Sequence, residues 1–321
     1  MPQRRDPRDR PDRPNLQDAQ GTPPIQKENP VTRTDHASAD RRRVTAANTR
    51  GRNVEVDGHE FTVHSMSSTS RAPEAEVPTF LLVHGIGASH RYFRRMQQSL
   101  AVTGHTHSLD LPGFGGTRKP EQPLSVAEYG TLLGRLLDRL DVPRVILVGH
   151  SMGAQFVTEL ARQRPDAVTH LVLIGPVTDP RRATAVKQAM GLTRDSVKEA
   201  PSGKLIVFRD YLKCGPRWFS SELAQMLDYR TDLSLREVRS PTLVIRGAND
   251  PVSGHVWCES LSAAVPDGQL VEVAGHRHLV HHTAAAQAAA HIEGHVRRHP
   301  SITHPAAGAA GGRVAGSPVS A

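Results

Sequence analysis

Apolar positions follow two different periods along the middle of the chain. Residues 79–83 and 145–149 are short, almost continuously apolar runs, which are typical of strands buried on both faces of a parallel sheet. Residues 126–140 instead carry apolar side chains three and four positions apart, and Ser125 with Glu128 forms a capping-box pattern just before them. This stretch therefore predicts an amphipathic helix between two buried strands.

Strand-like and helix-like segments alternate over residues 51–299, which predicts an α/β fold with a mostly parallel sheet and helices on both faces. The dipeptide Asp57-Gly58 between two alternating segments predicts a β-hairpin. The alternation pauses over residues 179–239, where we expect a small helical cap. Three large aromatic residues of this segment are expected to pack the cap, to roof a substrate pocket, or both: Tyr211, Trp218 and Phe219.

The two ends of the chain differ from this middle part in composition. Residues 1–50 mix Arg, Asp and Pro with almost no aromatic or branched apolar side chains, which predicts a disordered basic tail. Residues 300–321 are rich in Ala, Gly, Ser and Pro and predict a flexible tail. Of the formal net charge of +8, residues 1–53 supply +5, from twelve basic and seven acidic residues. Because the excess charge lies mainly in a tail, we expect no nucleic-acid partner.

The sequence is also unlike that of a membrane protein or a disulfide-bonded secreted protein. No apolar run approaches the ~20 residues that a membrane-spanning helix needs, and the first residues lack the apolar segment of a secretory signal. We therefore expect no membrane partner and a cytoplasmic location. The two cysteines form neither a disulfide framework nor a repeated metal-ligand spacing, so we expect reduced thiols.

The strongest chemical signal is a serine between two glycines where an apolar strand meets a helix. Gly149 and Gly153 lack bulk, so the chain can turn sharply between strand and helix and expose Ser151 at the apex. The carboxyl ends of parallel strands form the edge of the sheet where ligands bind. This arrangement predicts a nucleophilic serine beside a helix N-terminus, which favours developing negative charge.

A serine nucleophile needs a base and a group that orients the base, and both should follow later strands. Asp250 follows one buried strand and His276 follows the next, in the chain order Ser, Asp, His. Asp179 also follows a strand and is the alternative acid. His84 and His150 are expected to brace loops rather than transfer protons. His291 and His295 share a helix face, but no motif adds further ligands, so we expect no metal site and no cofactor.

These segments together resemble the α/β-hydrolase superfamily over residues 51–299. The quoted stretches are LLVHGIGAS, LDLPGFGGT, VGHSMG, GANDPV and AGHRH, in that order. The resemblance implies that the backbone N–H groups of Ile86 and Met152 form an oxyanion hole. The superfamily also includes enzymes whose nucleophile is an aspartate. Because this chain has Ser151 at the nucleophile position, we do not expect it to catalyse their reactions.

We therefore expect a serine hydrolase that cleaves an ester, thioester or lactone through a Ser-His-Asp triad and an acyl-enzyme, with a small-molecule substrate that carries an acyl group. One alternative is a carbon–carbon bond hydrolase of the β-diketone type. Another is a ligand-binding protein that keeps the fold without turnover. Fold alone does not identify the substrate.

Overall fold

A computed structural model describes residues 50–180, 209–210, 212–265 and 267–300, with Arg50 described by its backbone alone. All but Arg50 of the predicted tail at residues 1–50 and all but Pro300 of the predicted tail at residues 300–321 lie outside the described residues. The same holds for residues 181–208 of the predicted cap and for Tyr211.

In the described part of the chain, eight strands form one sheet in the order β1-β2-β4-β3-β5-β6-β7-β8. The strands are β1 (Arg50–Val56), β2 (His59–Met66), β3 (Thr79–Val83), β4 (His105–Asp110), β5 (Val145–His150), β6 (Val168–Ile174), β7 (Thr242–Gly247) and β8 (Gln269–Val273). The pairs β1·β2 and β2·β4 are antiparallel, and all other neighbours are parallel. The predicted mostly parallel sheet is confirmed.

The described helices connect these strands and cover the sheet. They are α1 (Arg94–Leu100), α2 (Val126–Arg139), α3 (Met152–Gln163), α4 (Pro216–Asp228), α5 (Thr231–Ser234), α6 (His255–Ser262), α7 (Val280–Thr283) and α8 (Ala285–Arg298). Short 3₁₀ turns lie at Glu74–Glu76, His90–Phe93 and Leu235–Glu237. No helix in the described part of the chain combines the length and apolarity that a membrane span requires.

Successive residues of the central strands supply two separate hydrophobic clusters. Leu81 and Val83 of β3 pack in one cluster, which also holds buried residues of α2 and α3. Phe80 and Leu82 of the same strand pack in the other, with residues of α1 and α8. Since side chains alternate across a strand, the continuous apolar run fills both faces of the sheet.

Two local predictions are confirmed by their backbone geometry. Asp57 and Gly58 have φ angles of 50° and 78°, as the two-residue turn between β1 and β2 requires. Before α2, the Ser125 hydroxyl accepts from the Glu128 N–H, and the Glu128 carboxylate accepts from the Ser125 N–H. The hairpin turn and the helix cap each depend on residues close in sequence, so local interactions are enough to form them.

The order of the strands creates a crevice at the carboxyl edge of the sheet. β3 and β5 are neighbours, but β3 is followed by β4 on one side and β5 by β6 on the other. The connections after β3 and β5 therefore lead to opposite sides of the sheet, and ligands bind at such switch points in open α/β sheets. Ser151 follows β5 directly, so the topology places it at this crevice.

Candidate active site

Ser151 lies at the apex of a strained turn between β5 and α3. Its φ and ψ angles are 57° and −120°, a combination that few residues with a side chain adopt. A side chain at Gly149 would meet the Gly153 carbonyl oxygen at 2.4 Å, and one at Gly153 would meet the Val83 carbonyl oxygen at 2.3 Å. Both glycines are thus needed for α3 to begin so close to the sheet.

The loop after β3 passes directly beside the serine. A β-carbon at Gly85 would lie 2.8 Å from the Ser151 β-carbon and 3.4 Å from its Oγ. Ile86 is the next residue, and it packs partly buried against the main core. Met152 is the first residue of α3, so its N–H lies in the turn whose N–H groups have no acceptor within the helix. The two predicted oxyanion donors therefore lie in the segments on either side of Ser151.

Asp250 lies just beyond β7 and is held by three donors. Its Oδ1 accepts from the N–H groups of Val252 at 2.8 Å and Ser253 at 3.0 Å. Its Oδ2 lies 2.8 Å from Nδ1 of His278. Burial by itself raises the pKa of Asp250, but the His278 ring and the two N–H groups outweigh it and lower that pKa below the ordinary value. Asp250 is therefore a buried carboxylate that stays ionised.

The histidine whose ring contacts Asp250 is His278, whereas the sequence predicted His276 for this position. Nδ1 of His276 is instead 2.8 Å from the Thr283 hydroxyl. The two residues are separated by one position in the loop after β8, and the backbone of His276 packs under the end of β7, where its carbonyl accepts from the Asn249 N–H at 2.9 Å. This contact anchors the loop so that the ring two positions later points to the carboxylate.

The end of β6 closes tightly around the Asp250–His278 pair. A β-carbon on Gly175 would lie 3.1 Å from both Cε1 and Nδ1 of His278 and 3.4 Å from Oδ2 of Asp250. Gly175 also has a φ of 53°, which favours glycine. Asp179, the alternative acid, follows four residues later and is buried. The hydrogen bond to Nδ1 supports Asp250 as the orienting acid.

His84 and His150 both hold loops in place through hydrogen bonds of their rings. His84 donates from Nδ1 to the Gly85 carbonyl at 2.8 Å and accepts at Nε2 from the Leu111 N–H at 3.1 Å. His150 lies 3.1 Å from the Tyr92 hydroxyl through Nδ1 and donates from Nε2 to the His278 carbonyl at 3.0 Å. Burial lowers the pKa of both rings, so both are neutral near pH 7.

Tyr92 extends these contacts into a relay of hydrogen bonds across the crevice. Its hydroxyl accepts from the Gly85 N–H beside Ser151. The same hydroxyl contacts His150, the residue before Ser151, which in turn holds the backbone of His278. The relay fixes the loops after β3, β5 and β8 relative to one another. No sequence motif indicated Tyr92, because its partners come from distant segments.

Two of the predicted pocket residues lie in α4, and both are buried in the main core. The Trp218 indole packs on the loop after β4, where a β-carbon at Gly113 would lie 2.4 Å from its Nε1. Phe219 is 9% exposed. Packing of α4 on the sheet domain is thus shown, while contact with a substrate stays a prediction. Tyr211 falls outside the described residues.

Comparison with known proteins agrees with this architecture. The family model for the alpha/beta hydrolase fold matches residues 78–206. An uncharacterised protein of Mycobacterium tuberculosis is 37% identical over 97 residues, which are 30% of this chain and 28% of that protein. The chain thus spans under a third of this relative's length.

Relatives that align over more of the chain have lower sequence identity. A 2-hydroxy-6-oxononadienedioate/2-hydroxy-6-oxononatrienedioate hydrolase of Cupriavidus pinatubonensis is 27% identical over 244 residues, covering 66% of this chain and 82% of that protein. The solved structure of a membrane phospholipase A, a bacterial virulence factor, superposes with a TM-score of 0.68 at 22% identity and covers 82% of this chain and 90% of the other. With the eight-stranded sheet and the family match over residues 78–206, these findings show that the chain has the alpha/beta hydrolase fold.

Proposed function

We propose that the protein is a serine hydrolase with Ser151 as nucleophile, His278 as base and Asp250 as orienting acid. The observation that carries the proposal is the 2.8 Å contact between Nδ1 of His278 and the buried carboxylate of Asp250, on the same edge of the sheet as the strained Ser151. A carboxylate at Nδ1 fixes the tautomer that leaves Nε2 as the basic nitrogen. His278 takes the role that the sequence assigned to His276.

In the proposed reaction, the Ser151 Oγ attacks a carbonyl carbon while Nε2 of His278 accepts the hydroxyl proton. The N–H groups of Ile86 and Met152 stabilise the oxyanion of the tetrahedral intermediate. His278 then returns the proton to the leaving group, and an acyl-enzyme forms. Water, deprotonated by His278, releases the acyl group and restores Ser151.

A small-molecule ester, thioester or lactone is the proposed substrate class. A second candidate, cleavage of a carbon–carbon bond in a β-diketone type of substrate, is favoured by the long similarity to the Cupriavidus hydrolase of a 2-hydroxy-6-oxo diacid. Both reactions use the same serine. Turnover of p-nitrophenyl esters of increasing chain length, compared with turnover of a vinylogous diketone acid, distinguishes them.

The proposed catalytic domain spans residues 51–299 and includes a cap at residues 179–239. Within this cap, Trp218 and Phe219 are proposed to close the acyl pocket from above. Ser151 is only 7% exposed, so the crevice is already sheltered, and oxyanion donors act more strongly where bulk water is excluded. Trp218→Ala should lower kcat/KM for medium-chain esters by about 1–3 kcal/mol of transition-state stabilisation and affect acetyl esters much less. An unchanged chain-length profile in a folded variant would show that Trp218 only packs α4.

The test of the mechanism is the reactivity of Ser151. We expect the purified protein to react covalently with a fluorophosphonate, and Ser151→Ala to lose both labelling and roughly 10⁴-fold or more of ester turnover. Asp179→Asn is the matched control for Asp250→Asn and should keep most of the turnover. A wild-type protein that binds acyl ligands but is not labelled would instead be the non-catalytic binding protein.

A further inference from the structure

Three metal-ligating side chains that the proposed mechanism does not use converge at one point. His64 lies in β2, His90 begins the 3₁₀ turn after β3, and Asp110 is the last residue of β4. Oδ2 of Asp110 is 3.0 Å from Nε2 of His64 and 2.8 Å from Nδ1 of His90. One ligand atom from each residue lies within 4.8 Å of the others. The sequence separates these residues by 46 positions, so no spacing motif indicated them.

The surroundings hold this carboxylate in one place. Oδ1 of Asp110 accepts from the His90 N–H at 2.8 Å. On its other side, a β-carbon at Gly115 would lie 2.3 Å from Cγ of Asp110, so the loop after β4 wraps the carboxyl group closely. The Asp110 side chain is 5% exposed, whereas those of His64 and His90 are 14% and 19% exposed. The carboxylate is therefore fixed from within, and the two rings border solvent.

We propose that His64, His90 and Asp110 form a binding site for one divalent transition-metal ion of the Zn²⁺ class. Two imidazoles and a carboxylate are ligands that Zn²⁺ prefers, and water would complete the coordination. Bonds of about 2.0–2.1 Å in tetrahedral geometry hold ligand atoms roughly 3.3 Å apart. The observed separations of 2.8 and 3.0 Å open to that value through small ring rotations. Each neutral imidazole keeps its proton by shifting it to the other ring nitrogen.

The arrangement differs from that of an ordinary histidine–carboxylate pair. The rings of His64 and His90 are stacked with centroids 3.4 Å apart and an interplanar angle of 20°. The facing nitrogens of both rings lie within 3.0 Å of the same carboxylate oxygen, so the three ligand atoms surround one point where a single cation could contact all of them.

An ion at this position would join three segments that the fold brings together only here. His90 is four residues after Ile86 in the loop beside Ser151, while His64 and Asp110 belong to neighbouring strands of the sheet. The ion would therefore tie the loop of the proposed oxyanion hole to the β2·β4 pair. The inference does not depend on the proposed hydrolase activity, and its test measures binding alone.

The experiment titrates Co²⁺, whose visible absorption reports coordination by protein ligands, into the full-length protein after treatment with a chelator. We expect saturation at one Co²⁺ per chain and displacement by Zn²⁺. His64→Asn and His90→Asn should each weaken binding at least ~10–100-fold, since even outer-sphere partners of metal ligands are worth that much. Folding of each variant is checked by circular dichroism, and Asp110→Asn is the third variant if a histidine variant unfolds.

The matched control is His105→Asn, since His105 also lies in β4 and its Nε2 pairs with one carboxylate, Glu74, at 2.9 Å. This variant should bind Co²⁺ like the parent. The chain has 18 histidines, so binding to scattered surface rings is the main competing outcome. Binding that is weak, exceeds one ion per chain without saturation, or is equally strong in the folded ligand variants would overturn the proposed site.

Discussion

Two aspartates at carboxyl ends of parallel strands hold histidines in this protein, and they do so differently. Asp250, three residues after β7, receives one ring, that of His278, and two backbone N–H groups. Asp110, the end of β4, receives two rings and one N–H group. Burial opposes ionisation of both carboxyl groups, yet the hydrogen bonds lower the pKa of both.

The number of rings decides what each carboxylate can do. A single ring bound through Nδ1 keeps its second nitrogen for proton transfer, which suits a catalytic base. Two rings that direct nitrogens to one oxygen instead gather three ligand atoms around a point, which suits a cation. The same strand-end position in one fold therefore supports two kinds of chemistry, separated by the partners that the loops supply.

The largest expected difference between the two aspartates is in turnover. Asp250→Asn keeps the shape of the side chain but disturbs the tautomer of His278, and we expect kcat for ester hydrolysis to fall by about 10⁴. Steady-state kinetics with a short p-nitrophenyl ester measures the effect. An Asp250→Asn variant with nearly full kcat would show that Asp250 has no role in the proposed mechanism and that the two aspartates do not differ in this way.

Asp110→Asn should act on stability more than on the chemical step. The variant replaces charge-assisted hydrogen bonds from two rings and an N–H, each of which contributes about 1.5–3 kcal/mol. The free energy of unfolding in urea should therefore fall by at least about 1.5 kcal/mol. If instead kcat of the folded variant fell as far as in Asp250→Asn, the two aspartates would not differ as described.

A smaller effect should appear in acid, through the histidines buried behind His278. Burial lowers the pKa of His281, and neither of its ring nitrogens has a hydrogen-bond partner among the described residues. Below about pH 6.5 the His281 ring therefore binds a proton in the unfolded chain but not in the folded protein. The free energy of unfolding falls as the pH drops through that value. His281→Leu removes this contribution, worth up to about 2 kcal/mol between pH 6.5 and 5.

Unfolding in urea at pH 7.5, 6.5 and 5 measures this effect for the parent and His281→Leu. The variant should show the shallower acid slope. His255→Leu is a suitable control, because His255 is largely exposed and pairs with Glu272. Identical slopes for the parent and His281→Leu would mean that the ring is protonated in the folded protein near pH 6, against the burial argument.

Local sequence signals predicted much of the fold, since each depends on residues close in the chain. The elbow at Ser151 requires a glycine two positions before it and another two positions after it. The turn between β1 and β2 requires only two adjacent residues that tolerate a positive φ angle, Asp57 and Gly58. The order of apolar runs likewise predicted the parallel strands. These features follow from backbone sterics and side-chain period, which the sequence carries directly.

Contacts between side chains from distant segments were harder to predict, for a physical reason. His276 and His278 are two positions apart, and both follow β8. Which ring reaches Asp250 depends on how this loop is held, through the His276 carbonyl at the Asn249 N–H and the His278 carbonyl at His150. The ligands around Asp110 come from three segments. Their meeting depends on strand order and register, which local patterns do not specify.

The measurement that tests the central claim most directly compares His278→Ala with His276→Ala in ester hydrolysis and fluorophosphonate labelling. The account predicts that His278→Ala loses labelling and roughly 10⁴-fold of kcat, whereas His276→Ala, which loses only the contact with Thr283, retains both within about tenfold. Loss of activity in a folded His276→Ala variant, with activity kept in His278→Ala, would contradict it.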